Sequence, residues 1–196
     1  MRINVTHNFG DIAKRLQRMQ DDLREKVIVQ TLNTVAKEAQ GRMATEIASE
    51  FNIKRSEAMD GLRVDRASRG AGGAFMTATL YAPSRKKGRG FNLIRFVEKK
   101  VTFAEAKRRG KAGTLQQLRV KIKRSGGLKA IPGAFIGNNG RTVFIRTGKA
   151  RLPIKALTTI DVAQMFNTRR VNDKVVAFVK ARVSSVLQDK IAKLVK

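Results

Sequence analysis

The spacing of apolar residues changes twice along this chain, and that change limits its fold more than any other feature. Near the N-terminus Asp11 is a good helix N-cap, and Ile12, Leu16, Met19 and Leu23 follow at helical spacing. The pattern runs on through Val27, Val35, Ala39, Met43 and Ile47, with Gly41 weakening it without ending it. One long helix, or two joined near Asp22–Glu25, satisfies this spacing. At the other end Val175, Phe178, Val179, Val183, Val186, Leu187, Ile191 and Leu194 form one apolar stripe, and Lys190, Lys193 and Lys196 favour the negative C-terminal end of the helix dipole. Between these ends the period falls to two. In LRVKIKR, Leu118, Val120 and Ile122 share one face while Arg119, Lys121 and Lys123 share the other. GAFIG and TVFIR then flank Asn138-Asn139-Gly140, residues that tolerate the positive φ of a hairpin turn. The expected class is α+β: a long N-terminal helix or helix pair, a central antiparallel sheet with a basic loop region, and a C-terminal amphipathic helix. A single domain is expected over 1–196, with a helical part at 1–60, a basic β-rich part at 61–154 that includes a loop at 84–113, and helices at 155–196.

Shorter signals fill in the path. FNIKRSEAMDGL (Phe51–Leu62) reads as a short helical turn with Ser56 as a cap. LRVDRAS and AFMTATLY read as strands separated by RGAGG (69–73), and FNLIRFVEK as a further strand. SRKKGRG (84–90) is a basic, glycine-punctuated loop. TFAE (102–105) matches a capping box, with Gly110 placed to end a short helix. Pro132–Gly133 marks a turn. In the second hairpin strand Phe144 faces away from Val143 and Ile145, so the strand is apolar on both faces. Such a strand is central in a sheet or is covered by another protein. LTTIDVAQMF predicts a short helix with Asp161 near its start.

Charge narrows the function. Lys and Arg number 42 against 15 Asp and Glu, a net of +27. Residues 1–50 are nearly neutral, with 8 basic and 7 acidic groups, whereas 84–129 carry 16 and 2, and 130–196 carry 13 and 3. A neutral start and a cationic middle and end point to a protein that meets a polyanion with one part and proteins with another. The row Arg119, Lys121, Lys123 spaces cations about 7 Å apart along one strand face. There is no cysteine, which excludes disulfides and thiolate metal sites. MRINVTHNFGD turns polar too soon for a signal peptide, and no run approaches the roughly 18 apolar residues of a membrane span.

Catalysis finds no support. His7 is the only histidine, so neither a His-based metal site nor a Ser–His–acid triad has its parts. TGKA (147–150) lacks the leading glycine of a phosphate loop, with Val143 in that place, and has Ala150 where magnesium needs Ser or Thr. A metal nuclease needs clustered carboxylates, and the basic block holds only Glu98 and Glu105. The chain is not expected to be an enzyme, and no cofactor is expected. Base reading is equally unsupported. There is no Trp, one Tyr (Tyr81), no zinc-finger spacing, and no helix pair with a cationic second helix. Any contact with DNA is therefore with phosphates, without sequence specificity.

Several segments together resemble the phage minor tail protein Z family, the tail completion proteins of long-tailed phages and prophages. They are TLNTVAKEAQ (31–40), NIKRSE (52–57) and above all IPGAFI, NGR, VFIR and LPI between Ile131 and Ile154. The order of helices, basic middle, hairpin and C-terminal helix carries the resemblance over nearly the whole chain. It implies a structural virion protein acting late in assembly at the head-proximal end of the tail, after assembly in the host cytoplasm. It also implies a tail terminator protein and head–tail connector or neck proteins as partners, and self-association as a ring of six.

The residues fit that role. Arg85, Lys86, Lys87 and Arg89 in the loop, and Arg119, Lys121, Lys123 and Arg124 after it, are the candidates for facing double-stranded DNA in a channel. Ile131, Pro132, Gly133, Phe135, Ile136 and Phe144 are the candidates for a subunit interface, because apolar strands with open backbone groups pair readily. Two other readings compete. One is a sequence-nonspecific nucleic-acid-binding architectural protein, which explains the charge but neither the two-faced apolar hairpin nor the concentration of acids in the first quarter. The other is a basic ribonucleoprotein subunit, against which the lack of a long basic tail argues.

Overall fold

The computed structural model describes residues 2–4, 21–68, 76–83, 90–98 and 118–194. The expected cap at Asp11, the RGAGG segment, the loop cations Arg85, Lys86, Lys87 and Arg89, and the TFAE capping box lie outside the described residues. The chain divides into two compact units. The first comprises Met1–Ile47, Arg55–Pro83 and Val162–Lys196, and the second Ala48–Lys54 and Ser84–Asp161.

The first unit is organised by two long helices. Helix α1 runs unbroken over Asp21–Glu50, and its last three residues belong to the second unit. It buries Val27, Leu32, Val35, Ala36, Ala39, Met43, Ala44 and Ile47. Helix α4, Arg169–Leu194, buries Val171, Val175, Val179, Val183, Val186, Leu187 and Ile191, one stripe at helical spacing. Burying each such side chain stabilises the fold by about 1.5–3 kcal/mol. Ion pairs set the direction of packing. Lys174 donates to Glu46 at 3.0 Å and Arg182 to Glu38 at 2.8 Å. The partners are eight residues apart on each helix and occur in opposite order, so α1 and α4 run antiparallel.

Smaller elements close the first unit. The short helices α2, Arg55–Asp60, and α3, Val162–Phe166, appear where the sequence places helical turns, although Ser56 lies inside α2 and not before it. Strands β1 (Arg2–Asn4), β2 (Arg63–Asp65) and β3 (Thr79–Tyr81) form an antiparallel sheet in the order β1-β3-β2. Strand β1 is not legible in the sequence, where MRINVTHNFGD shows only a stretch that turns polar at once. Asn33 on α1 holds the segment after β2. Its amide donates to the Ala67 carbonyl at 3.0 Å, and its oxygen accepts from the Ala67 N–H at 2.8 Å. A small cluster of Leu32, Ala36, Ala67 and Ala78 packs beside it. At Gly61 an added Cβ would lie 2.6 Å from Val162, so the close approach of α3 needs glycine there.

The second unit is β-rich. Strands β4 (Leu118–Val120) and β5 (Lys129–Ile131) pair antiparallel, and β6 (Ala134–Gly137), β7 (Thr142–Arg146) and β8 (Ile154–Ala156) form a sheet in the order β6-β7-β8. The sheet expected at the centre is therefore several small antiparallel sheets. The hairpin is where the sequence predicts it, with Asn138 at φ 52° and Asn139 at φ 51° in its turn. Strand β7, apolar on both faces, is the central one. FNLIRFVEK is not a strand. Leu93–Phe96 form a 3-10 turn in which Leu93, Ile94 and Phe96 are all buried, a pattern that period-two alternation does not allow.

Candidate functional site

The surface of interest lies on the second unit, and Asn92 holds its frame. The Asn92 side-chain oxygen accepts the Ile94 N–H at 3.0 Å, which caps the 3-10 turn, and the Val143 N–H at 2.9 Å, which ties the turn to β7. Leu93 N–H donates to the Leu157 carbonyl and Thr159 N–H to the Phe91 carbonyl. On its other side the same segment meets β4: Lys121 N–H donates to the Phe96 carbonyl and Glu98 N–H to the Arg119 carbonyl. Residues 91–98 thus join the two small sheets of this unit. An added Cβ at Gly90 would run into the Thr159 carbonyl oxygen, so only glycine permits this approach.

Of LRVKIKR only Leu118–Val120 form a strand, shorter than the alternation predicts, and the segment's partners change along its length. Leu118–Val120 pair with β5, Val97 bridges to Val120, and Phe51 bridges to Lys123. The Asn52 N–H donates to the Ile122 carbonyl at 2.8 Å. Val120 is buried while Arg119 and Lys123 are exposed and Lys121 is half-buried. Among the described residues no carboxylate pairs with Arg119, Lys121 or Lys123. Arg124 has a different place. Its Nε donates to the Ala48 carbonyl at 2.7 Å and its backbone N–H to the Glu50 carbonyl at 2.9 Å. The guanidinium therefore caps the C-terminus of α1, where the helix dipole favours a cation and where α1 has no basic residue of its own.

The six interface candidates do not share one surface. Phe135 pairs with Phe144 across β6 and β7, their ring centroids 6.0 Å apart, and both are half-buried. The Phe144 ring lies across Gly137, where an added Cβ would be 3.1 Å from it, and the Arg146 guanidinium sits 5.3 Å from the Phe135 ring centroid. Ile136 points to the opposite face and is 5% exposed, next to the fully buried Val143. It is part of the unit's own core. Pro132 and Gly133 form the exposed turn between β5 and β6, with Gly133 at φ 71° as a type II turn requires, and Ile131 is half-buried at the end of β5.

A further set of cations escapes a strand-by-strand reading of the sequence. Arg141, Arg146, Lys149, Arg151 and Lys155 are all exposed and have no carboxylate partner among the described residues. The signal that reveals them is an absence: no Asp or Glu occurs from Lys107 through Ile160. Exposed apolar side chains, Leu128, Leu152 and Ile154, lie among them. Among the described residues no group of His, Cys, Asp and Glu is placed to hold a metal ion, and no helix is long and apolar enough to cross a membrane.

A cationic surface with no acid to neutralise it among the described residues, beside a half-exposed aromatic pair, suits adhesion to a polyanion and to protein. No curated protein and no solved structure matches the chain. The family model described as prophage minor tail protein Z (GPZ) matches residues 11–196, nearly the whole chain. The chain belongs to the prophage minor tail protein Z family: it is a structural protein of the phage tail and not an enzyme, its place is the virion tail, and its partners are other tail proteins.

Proposed function

We propose that the protein completes the head-proximal end of the tail, joining the tail terminator to the head–tail connector, and that it does so as a ring of six around double-stranded DNA. In this reading Arg119, Lys121 and Lys123 face the channel, and Phe135 and Phe144 with the Ile131–Gly133 turn meet a neighbouring subunit. The observation that carries the reading is the unneutralised row Arg119, Lys121, Lys123, held on a frame that leaves two of its three side chains exposed. Six copies would each bring a formal +27, and like charges at that density repel unless DNA or counter-ions neutralise them. DNA in the channel then favours the assembled state. Arg124 is left out of the DNA-facing set because its guanidinium caps α1.

Antibody labelling of particles from an induced lysate tests the location. The reading predicts label at the head-proximal tip of free tails and at the junction of whole virions. Label along the tail tube or at its distal tip contradicts it. Protein recovered on bulk nucleic acid and absent from particles would instead favour an architectural nucleic-acid-binding role.

A further inference from the structure

Strand β8 has one bonded side and one open side. Thr147 N–H donates to the Pro153 carbonyl and Leu157 N–H to the Val143 carbonyl. Bonded pairs alternate along an antiparallel ladder, so Ile145 and Lys155 form the bonded pair between them. The backbone groups of Ile154 and Ala156 consequently point away from β7. Residues 91–93 cover the sheet only beyond this point, at Leu157–Thr159. Among the described residues nothing accepts from or donates to the outward groups of Ile154 and Ala156. The side chains of all three β8 residues are exposed, as is every residue from Arg146 to Ala156.

Charge identifies what can pair with this edge. Arg146, Lys149, Arg151 and Lys155 surround it, and the sequence offers no acid nearer than Asp161. A second copy pairing β8 with β8 about its middle residue would set Lys155 against its own image, and like charges directly opposite each other destabilise a strand pair. A lysine within a short edge strand and a proline before it are devices that discourage such self-pairing. Duplex DNA would use the cations but not the open backbone groups, nor Leu152 at 65% exposed and Ile154 at 38%. An extended acidic segment of another protein uses all three features: main-chain bonds, alternate apolar contacts and opposite charge.

We infer that the open edge of β8, Ile154–Ala156, with Arg146, Lys149, Arg151 and Lys155 around it, is a docking site for an extended acidic segment of a partner tail protein, which adds a strand to the β6-β7-β8 sheet. The site rests on tail-protein identity alone and holds wherever along the tail the protein sits.

The test uses the full chain and a blocked synthetic peptide of alternating valine and glutamate. Binding is followed by peptide fluorescence anisotropy, and amide exchange is read at Ile154 and Ala156. The Val–Glu peptide is expected to bind and to slow exchange at both amides. A Val–Lys peptide should do neither, and a short DNA duplex should leave both amides unprotected. Ala156→Pro removes an outward N–H without touching the ladder to β7, and should weaken Val–Glu binding about five- to tenfold, the contribution of one backbone hydrogen bond. R151E with K155E should transfer the preference to the Val–Lys peptide while circular dichroism stays unchanged. Failure of the Val–Glu peptide to bind, or equal protection by the duplex, overturns the inference. So does concentration-dependent self-association that Ala156→Pro abolishes, because a second copy would then occupy the edge.

Discussion

The two units use the same cationic residues in opposite ways. In the helical unit the acids that matter lie between α1 and α4. Glu46, with its side chain 8% exposed, receives Arg42 at 2.7 Å and Lys174 at 3.0 Å, while Glu38 receives Arg182. The Glu38 hydrogen bond and charge raise the Arg182 guanidinium further above its already high ordinary value, so the pair stays charged on the cationic side. In the β-rich unit the described cations from Arg119 to Lys155 meet no carboxylate, and Arg124 donates its guanidinium to a helix carbonyl, that of Ala48. Cations with a partner inside the chain serve the fold, and for the row Arg119, Lys121 and Lys123 we propose a partner outside it.

Substitutions break this contrast in graded ways. The largest effect is expected in the helical unit, where Leu187→Ala empties a fully buried site and should cost about 2–5 kcal/mol in chemical denaturation. Gly90→Ala attacks the frame of the β-rich unit by pressing a methyl on the Thr159 carbonyl. It should cost about 1–3 kcal/mol, and amide exchange should rise first at Leu93 and Thr159, whose bonds hold that approach. Glu46→Gln leaves Arg42 and Lys174 without their shared carboxylate and should cost about 1–2 kcal/mol, partly screened because both cations are more than a third exposed. Arg119→Gln with Lys123→Gln should change stability by no more than about 0.5 kcal/mol. The same pair should flatten the salt dependence of DNA binding, lowering the slope of log K against log salt by about 1 for each phosphate that is no longer neutralised. A large loss of stability in that last variant would place these two cations with the structural set.

The helices are readable because they repeat one simple choice over many turns. Val175, Val179, Val183, Leu187 and Ile191 each declare the buried face of α4, and tertiary packing then confirms it. The hairpin is readable because Asn138 and Asn139 take the positive φ that their residue types tolerate. Residues 93–96 look like a strand in the sequence because their conformation is decided by Asn92, whose side chain bonds Val143 51 positions away. Arg124 groups with the DNA-facing cations in the sequence because its charge is visible there, but not its reach to the end of α1, 76 residues back at Ala48. Ile136 and Phe135 are neighbours of equal hydrophobicity. Only the pairing register, with Val143 opposite one and Phe144 opposite the other, tells core from outer face.

The central proposal is that the unpaired row Arg119, Lys121 and Lys123 meets DNA in the tail. Protein–DNA crosslinking in intact virions, with the crosslinked residues mapped by mass spectrometry, tests it most directly. The account predicts crosslinks at Arg119, Lys121 and Lys123, and none at Arg42, Lys174 or Arg182. Crosslinks confined to the helical unit, or a protein in assembled particles that never crosslinks to DNA, would contradict it.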